Sequence, residues 1–221
     1  MRASLRIFSC VLVLVLSLVG SGCASVYYSA LEKVGVEKRE LLADRVEKTQ
    51  ESQQEAKEQF TSALEQLLAL SGDTGGDLKI KYDKLSDALD DSEDRAEEVR
   101  DRIASVRSVA EALFSEWESE LNQYTSQTLR ARSERTLQST RKRYDRLVML
   151  MQRAADRMEP VLATLRDQVL FLKHNLNAQT VAGLDTTARE LQTDIGVLIA
   201  DMERSIAEAD AFLAEWAGTN P

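Results

Sequence analysis

Apolar residues recur at alternating intervals of three and four along most of this chain. Leu78, Tyr82, Leu85, Leu89, Ser92, Ala96, Val99, Ile103, Val106, Ala110, Leu113 and Trp117 form one unbroken series. A second runs Leu137, Thr140, Tyr144, Leu147, Met151, Ala154, Met158, then Leu162, Leu165, Val169, Leu172 and Leu176. A third runs Leu184, Ala188, Leu191, Ile195, Leu198, Met202, then Ile206, Ala209, Leu213 and Trp216. Heptad spacing keeps one stripe of each helix facing a partner, and so predicts coiled-coil-like packing. The segment from Tyr27 to Leu70 is weaker. It is apolar at both ends, but from Glu47 to Gln59 only Ala56 stands at a core-type position, and Arg45, Thr49 and Gln53 fall at seam spacing. That stretch reads as a buried polar layer fixing register, as a loosely packed helix, or as a groove for a partner helix.

The breaks between segments fit helix-end chemistry. Ser71 to Asp77 is a Gly-rich turn in which Gly72 suits a left-handed helix end and Asp77 suits a cap for the next helix. Asn122 to Ser126 and Asn177 to Gly183 read as the second and third turns. Pro160 falls inside the third segment, where it removes a backbone donor and predicts a kink. Short turns between long segments imply antiparallel neighbours. The expected fold is therefore all-α, an elongated antiparallel up-down four-helix bundle. The fourth helix is the short one, and should stop about 20 Å before the end at which the chain enters. There Phe114, Trp117, Leu121 and Tyr124 are expected to be less fully covered.

The first residues carry an address. Arg2 and Arg6 precede an apolar run from Ile7 to Val19, which is short for a bilayer span but suits the core of an export signal. Gly20, Ser21 and Gly22 then lead into Cys23, and small residues ahead of a cysteine resemble a bacterial lipobox. A lipobox makes the cysteine thiol the acceptor of diacylglycerol and the first residue of the mature chain. The position three before the cysteine is usually leucine, whereas here it is Gly20. An ordinary signal peptide cut near Gly22, or an uncleaved anchor, are the alternatives. The expected organisation is a signal peptide over 1–22, a lipid anchor and short tether over 23–26, and the bundle over 27–217. Ala24 is not the Asp that resembles an inner-membrane retention signal. The expected location is thus the inner leaflet of the outer membrane, facing the periplasm, with the membrane held through the lipid on Cys23.

Composition narrows the chemistry. The net charge is −9, and it becomes −11 once Arg2 and Arg6 leave with the signal peptide. An acidic balance argues against a nucleic-acid partner. The two cysteines are Cys10, inside the leader, and Cys23, so no disulfide scaffold is available. The one histidine, His174, lacks the Glu three residues ahead that a di-iron bundle needs, because residue 171 is Phe. No phosphate-binding glycine motif or nucleophile elbow occurs. The expectation is no enzyme, no cofactor and no metal. The turn from Asp73 to Asp77 lacks the glutamate that a calcium loop places at its twelfth position, where Lys84 stands.

Two constellations remain as candidate interaction sites. Asp73, Asp77, Lys173, His174, Asn175 and Asn177 gather at the far tip, either as helix caps or as a polar patch for a protein partner. Arg130, Arg141, Lys142 and Arg143 belong to a basic run over 130–146. That run is expected either to contact anionic head groups or envelope polymer, or to pair with Glu111, Glu116, Glu118 and Glu120 across a hairpin. Residues 83–101, by contrast, hold nine acids and three bases, and they lie toward the tip.

Several segments carry a family resemblance. They are Tyr27-Tyr28-Ser29-Ala30-Leu31-Glu32-Lys33-Val34-Gly35, Lys38-Arg39, Asp44-Arg45-Val46, Ala56 to Phe60, Pro160-Val161-Leu162, Asp167 to Ala178, and Ser205 to Phe212. Together they resemble bacterial domain-of-unknown-function family 2959 across nearly the whole mature chain. The resemblance implies a helical, lipoprotein-like envelope protein without catalytic residues. The function expected from these readings is a non-enzymatic envelope lipoprotein, a rod acting as a structural or protein-interaction module. The alternative is a membrane-surface or envelope-polymer-binding module using the basic run.

Overall fold

Each series of apolar residues becomes one long helix in the computed structural model, which describes residues 37–71, 77–177, 180–181 and 183–218. Helix α1 spans Lys38–Ser71, α2 Leu78–Glu120, α3 Gln127–Asn175 and α4 Asp185–Gly218. A single 3-10 turn, Leu121–Gln123, links α2 toward α3. Among the described residues there is no strand. At 49 residues, α3 extends roughly 74 Å. Residues 27–36, expected to begin the first helix, lie outside the described residues, as do the expected signal peptide and Cys23.

Two of the helices begin where a side chain can replace lost backbone partners. The Asp77 side chain accepts from the Lys79 amide at 2.9 Å, and Ser126 accepts from the Leu129 amide at 3.4 Å. Asn177 does the same for the last turn, accepting from the Thr180 amide at 3.1 Å. These caps satisfy donors that a helix start leaves orphaned.

Helix α1 packs on α2 and α4, and α3 packs on the same two helices. The four stand at the corners of a square with every neighbour antiparallel. Lys38 at the start of α1 bonds Glu116 near the end of α2 at 3.2 Å, and Trp216 near the end of α4 meets Arg39. The chain entry, the end of α4 and the α2–α3 turn therefore share one end, here the basal end. The end of α1 with the start of α2, and the end of α3 with the start of α4, share the other end, the distal tip.

One connected core runs between the helices, and all its buried residues lie between Leu41 and Trp216. A chain beginning at residue 24 therefore keeps the described core whole. In α1 the buried line is Leu42, Val46, Thr49, Gln53, Ala56, Phe60, Ala63, Leu67 and Leu70, a regular heptad seam. It corrects the expected seam at one place, since Val46 faces the core and Arg45 flanks it. Helix α4 is corrected too. Its seam passes from Met202 to Ser205, Ala209, Phe212 and Trp216, and leaves Ile206 and Leu213 half-buried. The four–three rhythm thus continues unbroken through a serine, which hydrophobicity alone skips. At the basal end, Phe114 and Leu121 are buried, Trp117 is half-buried and Tyr124 is exposed. The expected loss of cover thus holds fully only for Tyr124.

Helix α3 continues through Pro160, which is exposed. Proline donates no amide hydrogen, so the Asp156 carbonyl loses its regular donor there. Pro160→Ala restores that bond without disturbing the core. It is expected to raise stability by about 1–2 kcal/mol. A urea melt in which the midpoint stays or falls would reject this.

Candidate functional site

The described residues hold no group of three or more His, Cys, Asp or Glu side chains placed to bind a metal ion. A cleft between α1, α2 and α4 at the basal end is lined by Arg39, Leu113, Glu116, Trp117, Glu120 and Trp216. Its volume of about 140 Å³ is below the roughly 300 Å³ at which small-molecule pockets begin. Broader grooves of about 430–720 Å³ run along the shaft and are lined largely by charged and amide side chains, so the surface chemistry is that of charged helix faces.

At the distal tip, the polar residues chiefly serve the backbone. Asp77 caps α2, and the Asn175 amide donates back to the Phe171 carbonyl at 2.9 Å. Asn177 donates to the Asn175 carbonyl at 3.1 Å while capping the turn that follows. Lys173 and His174 are exposed in the last turn of α3, where positive charge suits the carbonyl end of a helix. Asp77 makes no bond to Lys173, His174 or Asn175. Asp73 lies outside the described residues.

The basic run divides into two sets. Arg141 pairs with Glu118 of α2, and its guanidinium lies 5.1 Å from the centre of the Phe114 ring. The hydrogen bond from Arg141 holds the Glu118 carboxyl below its ordinary pKa. Arg143 pairs with Glu215 and Arg146 with Glu208, both on α4, the latter at 2.9 Å. The second set faces water. Among the described residues the Arg130 side chain bonds only Asn122, at 3.4 Å, and Arg135 donates to the Ala131 carbonyl of its own helix. Arg132 and Lys142 are exposed and have no carboxylate partner among the described residues.

Three features escaped the sequence. Asp201 is the first. It is only 2% exposed, and it accepts bonds from Arg153 at 3.3 Å, from Arg157, and from Arg204 at 2.5 Å. A lone Asp beside a seam gives no sign of burial. The second is the reciprocal clasp of Arg39 and Trp216. Arg39 donates to the Trp216 carbonyl and the Trp216 ring nitrogen to the Arg39 carbonyl, each at 3.2 Å, with the guanidinium 4.7 Å from the ring centre. The third is a hydrogen bond of 2.8 Å between Ser205 and Gln53 inside the core.

Higher along the shaft, Arg166 bridges Glu93 of α2 and Glu159, and Arg100 also reaches Glu159 at 3.1 Å. Bonds from Arg166 and then Arg100 keep the Glu159 carboxyl below its usual pKa. Such surface pairs set register more than stability.

No helix among the described residues is long and apolar enough to cross a membrane. No match was found among curated proteins or among solved structures. A family model described as a protein of unknown function, DUF2959, matches residues 27–216. This chain, whose described residues form a four-helix bundle, belongs to the DUF2959 family.

Proposed function

We propose that this protein is a lipid-anchored component of the bacterial cell envelope, a non-enzymatic helical rod that faces the periplasm and serves as a structural or protein-interaction module. The observation that carries the reading is the leader itself. A basic start, an apolar run and small residues end at Cys23, and no other thiol follows it. The bundle supports the reading from the other side, because chain entry at one end of a rod suits a tether. Its buried polar groups serve packing, and its carboxylates are solvated or ion-paired, so neither supplies a poised acid or base. Ala24 after the cysteine favours the outer membrane, and a protein partner is expected along the exposed shaft or tip.

The test is metabolic labelling with a radioactive fatty acid, followed by mass spectrometry of the mature N-terminus. The wild-type chain should carry acyl groups on Cys23 and float with membranes. Cys23→Ala should lose all label and accumulate as precursor. A wild-type chain without lipid, or one recovered from the cytosol, would sink the reading.

A further inference from the structure

Helix α3 is the chemical exception in this molecule. It carries eleven Lys and Arg against five Asp and Glu, in a chain whose net charge is −9. Four of the large apolar side chains left exposed also sit on it: Leu129 at 54%, Met149 at 60%, Leu170 at 63% and Phe171 at 53%. Arg132, Arg135, Lys142, Met149, Arg153 and Phe171 fall on the side of α3 opposite its buried seam of Leu137, Leu147, Met151 and Met158. Along this ridge the cations either have no carboxylate partner among the described residues, as with Arg132 and Lys142, or are half-exposed beyond their α4 partner, as Arg153 is. Of the five acids of α3, Asp156 and Asp167 share this outer side in the distal half of the helix, while Glu134 and Asp145 stand at its margin among the seven cations from Arg130 to Arg146. Glu159 is already bonded to Arg100 and Arg166, and Asp156 accepts from Gln152 at 2.7 Å.

The ridge also outruns its neighbour. Arg143 is level with Glu215, close to the end of α4. From there α3 continues back to Gln127, roughly 24 Å farther. In that stretch every residue from Asn122 to Arg132 is exposed, and the Trp117 ring nitrogen donating to Ser133 at 2.8 Å ties it to α2. This overhang belongs to the basal end, where the chain enters. Residue 23 is fourteen positions before Glu37, so the tether reaches at most about 50 Å. An acyl anchor there keeps the whole of α3 within reach of the bilayer that holds it.

We propose that the outer ridge of α3 lies along the head-group surface of an anionic bilayer, with Arg132, Arg135 and Lys142 meeting lipid phosphates and the exposed Met149 and Phe171 entering the interface. The occupant is a bilayer because basic charge, scattered large apolar tips and a lipid tether combine on one face. Cations near an anionic leaflet each contribute about 1 kcal/mol, and apolar side chains seat at the head-group boundary. Helix α1, which stands diagonally across the square from α3, then faces the periplasm. The proposal rests on the envelope reading above for its orientation.

The chain from residue 24, which has no lipid, separates the two. Flotation is run with phosphatidylcholine vesicles, and with vesicles containing a third phosphatidylglycerol, at physiological salt. Binding should be at least tenfold stronger to the anionic vesicles. The triple variant R132Q/R135Q/K142Q should bind them about a hundredfold more weakly, the fold-change expected of three such cations. K79Q/K81Q/K84Q, which removes three cations near the start of α2, should bind as the wild type does. Equal affinity for neutral and anionic vesicles, no binding to either, or an unaffected R132Q/R135Q/K142Q would each overturn the proposal. Helicity by circular dichroism checks that the variants fold, and Phe171→Ser is a second probe, expected to lower binding without altering charge. Acylation of Cys23 plays no part in these measurements, so failure here and failure of the anchor are read apart.

Discussion

Removing Arg153 and Arg157 together, as R153A/R157A, is expected to destabilise the bundle by about 2–4 kcal/mol. Their shared partner, Asp201, sits on α4 at 2% exposure, while the side chains of Arg153 and Arg157 are 53% and 43% exposed. The asymmetry decides which member matters. The guanidiniums keep much of their hydration, whereas the carboxylate has exchanged its water for three donors. Stranding a buried charge costs several kcal/mol. Arg204, three residues along the same helix, remains at 2.5 Å and softens the loss. Asp201→Leu is the diagnostic contrast. It removes the charge that needs partners and places an apolar side chain next to Met202, so it should cost less than 1 kcal/mol or stabilise. If Asp201→Leu unfolds as readily in urea as R153A/R157A, the stranded carboxylate is not the cause. The cluster fastens the middle of α3 to α4. It leaves the outer edges of both arginines facing water on the ridge proposed to meet the membrane.

The fold was legible because three seams repeat over many turns, and because Asp77 marks a break with defined cap chemistry. What stayed hidden is relative register, which depends on how far each turn advances before the next helix starts. The basic run shows this. Its expected partners were Glu111, Glu116, Glu118 and Glu120, all on α2. Of these only Glu118 takes an arginine of the run, while Glu116 pairs with Lys38. Arg143 and Arg146 reach Glu215 and Glu208 on α4 instead, and no feature of the sequence fixes that alignment. The same limit hid the clasp of Arg39 and Trp216, whose partners stand 177 positions apart. The polar middle of α1 was legible only as a set of alternatives. Thr49 and Gln53 are fully buried and Ser52 is 3% exposed, so the stretch is a polar layer in the core. Hydrophobicity cannot recognise a core position filled by Gln on one helix and Ser on the other, because each residue taken alone reads as surface.

Ser205→Val is expected to cost about 2–4 kcal/mol, and the reason lies across the core in Gln53. Both side chains are fully buried. The Ser205 hydroxyl donates to Gln53 Oε1 at 2.8 Å, and Gln53 Nε2 has no partner. Valine removes the one bond the amide makes, leaving it with none, and an unsatisfied buried amide costs about 1–3 kcal/mol. The added methyls must also fit a site shaped for a hydroxyl. The paired change Q53L/S205A carries the opposite sign. It withdraws donor and acceptor together and leaves Thr49 as the one polar position on the seam between Val46 and Ala56, so it should be neutral or stabilising. Its cost falls on specificity instead. With the Gln53–Ser205 pair gone, α1 and α4 lose the polar contact that crosses between their seams, and polar residues at seam positions are what hold such helices in one register. Crosslinking cysteines placed at Gln50 and Asp210, whose side chains meet at 2.7 Å, reads the alignment directly. The wild-type layer should give a single disulfide product, and Q53L/S205A should also accept pairs displaced by a heptad. A double variant that is less stable than Ser205→Val, or that keeps one register as strictly as the wild type, would show that Gln53 and Ser205 are mere space-fillers.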